Sequence, residues 1–583
     1  MIDLNDSSHI AFQPDAWYRT GALVGSACHD KPRKRKDKGK ALAGPLGVPT
    51  SDCDAPFGLL EATLDWIGRE WKDKIDFVIW TGDNARYIID FGLYCLFQLP
   101  LPMCGRSVRL IGQLMLQRTD FLPKLSRHDS DSNHPRSRKE IYKLNQQVAD
   151  LMDKTFGFNA SGDPDQIYVP IVPSFGKFKL ISKEFFFSRV ASVASVTLYL
   201  RLVFLLVFFF NNRVGNNDCY PHNIFYGGGP TNPTIRRFLD IWRPFIPYDQ
   251  LHTFQMGGYF AVDVILGKIR VLALNTLYFY NSNAAVDGCD VEGDPGKDHM
   301  DWLDTQLELA RQLKLKVHIT GHVPPRPKAY YDSCLTAYTR IAQKYSDIIL
   351  GHWYGHVNMD HFVLLDDEDD AHLKDMNTLN QVHALKDIPG YLKELHSRYK
   401  RASTSNATNQ VVINISPPVL PVYLPTFRII HYDVGDIESP TFGDLHGYSQ
   451  YYSNITYWND HQPKKPKSTV SLDEEDAEWE DNLVNDDEED SYNSPDDETV
   501  IDTTKKRRPP PRRITKKPKQ GPMPYIEFQL EYTTEKDLGM KDLSAKSWVD
   551  LARRLTRKGK EGKKFWRSYI DKIFVQTMRG EDL

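Results

Sequence analysis

Cysteine is scarce here, with seven residues in a chain of 583. Two of them, Cys95 and Cys104, sit in Tyr87–Arg127, a stretch without the strand–turn logic of its surroundings. Five remain outside it, and no six-cysteine helical module is present. No signal peptide is visible at Met1–Ile10. The net charge is only −4, because opposite charges are segregated rather than few. Leu472–Glu498 is strongly acidic, and Lys505–Lys519 is basic with three consecutive prolines. Such blocks do not pack, so 461–521 is expected to be a solvated, disordered linker. Its basic half could hold a polyanion, as could Lys31–Lys40, although a plain solvated loop explains each equally well. With 41% hydrophobic and 12% aromatic residues, the rest can bury one large core plus accessory elements.

What is present is a set of apolar runs ending in potential metal ligands. Val317-His318-Ile319 leads to Gly321-His322, and Ile348-Ile349-Leu350 leads to Gly351-His352 and then Gly355-His356-Val357-Asn358. Upstream, Phe77-Val78-Ile79-Trp80 ends in Thr81-Gly82-Asp83, and Gly215-Asn216-Asn217-Asp218 lies between. Buried strands with such endings deliver side chains to the carboxyl edge of a sheet, where α/β folds place ligands. Gly82 lets the backbone turn sharply before the carboxylate. Asp83, Asn216, His322 and His356 together offer two oxygens and two nitrogens, a set suited to Zn, Mn or Co. Singly, each is more often a turn residue or a satisfied core histidine; the ordered set of four points to a metal.

In this order the motifs resemble the calcineurin-like metallophosphoesterases, with D-x-H, G-D, G-N-H-E/D, G-H and G-H-x-H. Pro221-His222-Asn223, Gly257-Gly258-Tyr259-Phe260 and Asn275-Thr276-Leu277-Tyr278 look like the acid-sphingomyelinase branch. Asn283–Cys289, Gly321-His322-Val323-Pro324-Pro325 and Leu424-Pro425-Thr426-Phe427-Arg428 look like the fungal vacuolar endopolyphosphatases. The resemblance implies an α/β two-sheet sandwich flanked by helices over 11–435, and two divalent metals (Mn, Zn, Co or Mg) sharing a bridging aspartate. One metal would keep Asp83, Asn216, His322 and His356; the other would fall to Asp83 and Asn358, which stands where the family has a histidine. D-x-H is missing before Pro14-Asp15, and neither Asp3 nor His9 has its spacing. The start of the chain is therefore expected to be wrong or truncated, and activity poor if it is not.

Two further segments interrupt the family pattern. Residues 87–127 separate Arg86 from His128-Asp129, and 177–214 separate Gly176 from Gly215. Translated introns explain both most simply, with lineage-specific loops as the alternative; long irregular loops inside a compact domain count against an assignment. The second contains Val190–Phe210, long enough to cross a bilayer, which takes roughly 20 apolar residues. A span there would put the two halves of the site on opposite sides of a membrane, so it is not expected to be an anchor.

Strands are expected at Phe77–Thr81, Tyr168–Pro173, Ile269–Asn275, Val317–Thr320, Asp347–Leu350 and Phe362–Leu365, and helices at Gly58–Trp71 and Met300–Leu313. A charged helical excursion is expected within 366–409, a return to strands over Gln410–Asp433, and a helical cap within 523–577. Cys28 with Cys53 and Cys289 with Cys334 are plausible disulfides, although spacing cannot fix connectivity. Sequons at Asn5, Asn159, Asn406, Asn414 and Asn454 suit a glycosylated lumenal protein, Asn414 least because Pro417 follows. The resemblance further implies a vacuolar lumen, reached through an amino-terminal signal anchor not seen in this chain.

The activity that the resemblance implies is metal-assisted hydrolysis of internal phosphoanhydride bonds in inorganic polyphosphate, and no nucleic-acid partner is expected. A phosphate leaving group needs little protonation, which suits Asn217 at the position of the family's catalytic histidine; His128 and His222 remain acid candidates. Two alternatives are a sphingomyelinase-like phosphodiesterase and a damaged gene model that only binds polyanions.

Overall fold

The computed structural model describes residues 2–4, 10–11, 18–84, 137–157, 215–366, 388–402, 410–420, 422–463 and 523–578. His128, Asn5, Asn159, Asn406, the segments 87–127 and 177–214, the apolar run Val190–Phe210, the strand expected at Tyr168–Pro173 and nearly all of 461–521 lie outside them. One compact unit comprises Met1–Gln462 and Pro524–Leu583; the other, Pro463–Met523, has only its two end residues described. Among the described residues, no helix is long and apolar enough to cross a membrane.

Thirteen strands occur among the described residues. β1 (Ile2–Leu4), β4 (Val78–Trp80), β11 (Thr426–Tyr432), β12 (Leu445–Tyr452) and β13 (Gln529–Thr533) form a sheet ordered β13-β12-β11-β1-β4. β5 (Phe260–Ile265), β6 (Ile269–Ala273), β7 (Lys316–Thr320), β8 (Ile349–Tyr354), β9 (His361–Leu365) and β10 (Val411–Ile415) form a second, ordered β5-β6-β7-β8-β10-β9. β2 (Ile10–Ala11) and β3 (Ala55–Pro56) make a two-stranded pair. β6, β7, β8 and β10 run parallel, so their carboxyl ends share one edge. Both large sheets feed one apolar core: Phe77 stacks near His318 on one side and Tyr432 on the other. The protein is therefore a mixed α/β protein.

Helices cover the sheets because their apolar stripes match the period of 3.6. α1 (Phe57–Trp71) buries Leu60, Leu64 and Ile67 as expected. α2 (Arg138–Phe156) opens on a capping box, in which Glu140 N–H donates to the Ser137 hydroxyl and Ser137 N–H to the Glu140 carboxylate. α3 (Pro233–Trp242) and α4 (Leu251–Gly257) precede β5. α5 (Pro295–Gln312) begins five residues before the expected start, because Asp294 caps it and Pro295 occupies its first turn. α6 (Asp332–Lys344) leads to β8, and α7 (Ile388–Ala402) is the described part of the charged excursion. α8 (Ile455–Asp460) is short.

Three expectations are corrected. The strand predicted at Asp347–Leu350 runs instead from Ile349 to Tyr354, because β7 and β10 pair with it on both sides. His352 is thus a buried strand residue bonded to the Tyr338 hydroxyl, not a turn residue. Next, the core does not close at residue 435: β12 and β13 extend the first sheet, and β1 begins before residue 11. The carboxyl-terminal segment therefore supplies an edge strand as well as a cap of α9 (Ala545–Leu555) and α10 (Lys560–Ile573). Its docking is polar as well as apolar. Tyr532 and Arg428 both donate to the buried Asp360 carboxylate, while Arg428 also reaches Gln450 and Ser416. Finally, Asn414 is buried on β10, in register with Trp353 and Phe362, so it cannot carry a glycan in the folded protein. Asn454 is exposed. Both anticipated disulfides, Cys28–Cys53 and Cys289–Cys334, are formed, and Cys219 is free and buried.

Candidate metal centre

The ends of β4, β7 and β8 meet at one point. After β4 the chain turns at Gly82, φ 92°, and Asp83 itself holds a left-handed φ of 67°. His356 and Asn358, in the turn after β8, take φ 68° and 62°. Non-glycine residues in this region are strained, at a cost of about 1–3 kcal/mol each, and cluster at functional sites. The turn after β7 is pinned by Thr276, whose hydroxyl accepts from the backbone N–H groups of His322 and Val323.

Single ligand atoms of Asp83, His322 and His356 lie within 4.8 Å of one another. Asn216 completes the group, with Oδ1 2.8 Å from His322 Nε2 and 2.8 Å from His356 Nδ1. The two ring nitrogens are 3.2 Å apart, and His322 Nε2 is 3.1 Å from Asp83 Oδ2. His322 Nδ1 donates to the Thr81 carbonyl at 2.8 Å, so in the neutral ring Nε2 presents a lone pair to the site. Lone pairs of two nitrogens, an amide oxygen and a carboxylate pointing at one small volume repel unless a proton or cation lies among them. This donor set fits a divalent transition-type ion. Burial alone would favour neutral His322, yet the Asp83 carboxylate and the Thr81 carbonyl carry its pKa above the ordinary value.

Several residues hold these ligands. Asn217 grips the carboxylate through its backbone N–H to Asp83 Oδ1 and its side-chain amide to Oδ2, both at 2.9 Å. The Asn216 amide nitrogen donates to His222 Nε2 at 2.9 Å and to Asn223 Oδ1 at 3.1 Å, which turns Oδ1 toward the two histidines. His222 Nε2 therefore accepts here, a contact that positions Asn216. Gly215 approaches Asp83 so closely that a Cβ would lie 2.1 Å from its Oδ1. Asn358 is buried in the same turn as His356.

A buried polar chain behind the site was not anticipated. Trp80 Nε1 donates to Asn84, Asn84 to Asn145 on α2, and Asn145 to Asp218 Oδ1. Asp218 Oδ2 accepts from the backbone N–H groups of both Asp83 and Gly215, tying the two ligand turns together. Burial, and then the neighbouring Asp83 charge, push Asp218 up to about 7. Asp218 stood in a motif already singled out. Asn145 had a weaker signal, a lone amide among Ile141, Leu144 and Val148 on the buried face of α2.

Strand ends from both sheets thus converge on a candidate metal centre in an α/β protein. No protein-family model matches the sequence. The chain is a homologue of fungal proteins named endopolyphosphatase. It is 31% identical to one from Cryptococcus neoformans, over 75% of this chain and 58% of the relative. Against one from Debaryomyces hansenii the figures are 36%, 61% and 38%, and against one from Neurospora crassa 26%, 94% and 77%. The chain thus spans about half the length of several relatives it matches, between 38% and 58% for the first two.

Proposed function

We propose that this chain is a metal-dependent hydrolase that cuts internal phosphoanhydride bonds of inorganic polyphosphate. The observation that carries this reading is the convergence of Asp83, Asn216, His322 and His356 on one small volume. The name borne by the fungal relatives supports the substrate. A divalent cation held there would activate water for attack and offset charge on phosphoryl oxygens. This chain's own residues position that chemistry: Asn217 orients Asp83, while His222 and Asn223 orient Asn216. A phosphate leaving group needs little protonation, which is compatible with Asn217 in place of a histidine.

On the same reading the fold is the calcineurin-like two-sheet sandwich, and a second metal would use Asp83 and Asn358. A vacuolar lumen, an amino-terminal membrane anchor and glycosylation at Asn454 belong to this proposal; the disulfides and exposed Asn454 suit such a compartment.

The test is incubation of purified protein with long-chain polyphosphate and Mn, Zn, Co or Mg, with products sized on gels. Shortening chains are expected, and their loss in Asp83→Ala and His356→Ala. Undiminished cleavage by those variants would defeat the metal assignment. Release of phosphocholine from sphingomyelin, with polyphosphate untouched, would favour the phosphodiesterase alternative.

A further inference from the structure

The loop that carries His322 continues to Arg326, whose Nε is buried without a hydrogen-bond partner among the described residues. Its guanidinium lies 5.7 Å from the ring centroid of Tyr391. Arg326 lines a pocket with Tyr391, Glu394 and Arg398 over an apolar floor of Val363 and Leu395, enclosing about 260 Å³ including solvent at its mouth. A buried guanidinium N–H without an acceptor is costly, so an acceptor-rich ligand would relieve it.

The charges around the pocket favour an anion. Glu394 is held by Arg398 at 3.1 Å, with Lys328 Nζ at 3.8 Å, so that among the described residues around the pocket one carboxylate faces Arg326, Arg398 and Lys328. His361, bonded to the Tyr391 hydroxyl, stays neutral because burial pushes it down to about 3. A cationic ligand would be repelled here, and an apolar one would leave the guanidinium unsatisfied.

The pocket is tied to the candidate metal centre through shared chain segments. Arg326 follows His322 on one loop, and β9, which contributes Val363, starts just after the turn bearing His356. Tyr280 lies edge-on to His356 at 5.3 Å, and its hydroxyl is within electrostatic reach of both Arg326 and Asp83.

We propose that Arg326, backed by Arg398 and Lys328 around Glu394, forms a phosphoryl-binding subsite that holds a unit of the polyphosphate chain away from the bond being cut. The inference rests on the polyphosphate reading above and adds to it a determinant of preference for chains over small esters.

The experiment compares wild type, Arg326→Gln and Arg326→Lys on long-chain polyphosphate and on bis(p-nitrophenyl) phosphate, which has a single phosphoryl group and no further unit for the subsite. The ratio of kcat/KM for polyphosphate to that for the diester should fall about ten-fold in Arg326→Gln, the scale of one charge-assisted hydrogen bond. The fall should come mainly through KM, and Arg326→Lys should recover part of it. An unchanged ratio, including equal loss on both substrates, overturns the subsite. If Arg326→Gln does not fold, Arg398→Gln read by the same ratio decides. If wild type leaves polyphosphate intact, the functional reading fails and calorimetry with tripolyphosphate, without added metal, judges the subsite. Weaker binding by Arg326→Gln keeps it, and equal binding ends it.

Discussion

Asn217 holds both carboxylate oxygens of Asp83, one through its backbone N–H and one through its side-chain amide, each at 2.9 Å. A carboxylate gripped this way is held toward His322, on a backbone that itself takes a left-handed φ.

Asn217→Ala should therefore weaken metal binding while leaving the fold intact. Partners that orient metal ligands typically contribute about 10–100-fold in affinity. Titration of chelator-treated protein with Zn or Mn checks this. An affinity equal to wild type would show that Asp83 is held by the backbone alone.

Asn145→Leu should damage the same site from behind. It removes a donor from the buried Asp218 carboxylate, and a buried acceptor left short costs about 1–3 kcal/mol. Denaturant unfolding should show that loss, with reduced metal affinity because Asp218 ties the backbones of Asp83 and Gly215. Full stability together with full affinity would refute the role given to the polar chain.

Acid should destabilise the protein through buried histidines other than the candidate ligands. His318, His352 and His361 are buried in the second sheet, and desolvation pushes each from 6.5 down to about 3. Above pH 6.5 both folded and unfolded states are neutral at these positions, so nothing is lost. Between 6.5 and 3 only the unfolded state binds the proton, and stability falls by up to about 1.4 kcal/mol per pH unit for each histidine. Unfolding free energies at pH 7.5, 6 and 5 should decline accordingly, with a shallower slope in His361→Gln. A flat profile would contradict the assignment.

Removing residues 523–583 should unfold the protein rather than merely uncap it. The segment supplies β13, the Tyr532 donor to Asp360, and the Ile573 carbonyl that receives the Asp360 backbone N–H two residues after Asn358. The milder Tyr532→Phe should cost about 1–3 kcal/mol. A stable, monodisperse truncated chain with unchanged metal affinity would count against this coupling.

Much of the site was legible from residue order. Gly82-Asp83, Gly215-Asn216, Gly321-His322 and Gly355-His356 each follow the local rule that a turn releases a ligand at a strand end, and all four ligands meet. Less legible was which histidine of the β8 region reaches the cluster. Gly351-His352 reads like another turn, but ladder pairing with β7 and β10 carries the strand through it. Nor did periodicity find β13, a strand of only five residues whose Gln529-Leu530-Glu531-Tyr532 alternation is too short to stand out and whose Leu530 is exposed.

Local chemistry in the chain was enough to single out the candidate ligands, because turn geometry, donor type and the apolar runs before them are short-range properties. Long-range packing was needed to assign the supporting roles. Asn145 and Asp218 are 73 residues apart, and Asp360 and Tyr532 are 172 apart. A buried polar group declares its purpose only when its partner arrives from elsewhere in the fold, and no spacing rule within one segment encodes that meeting.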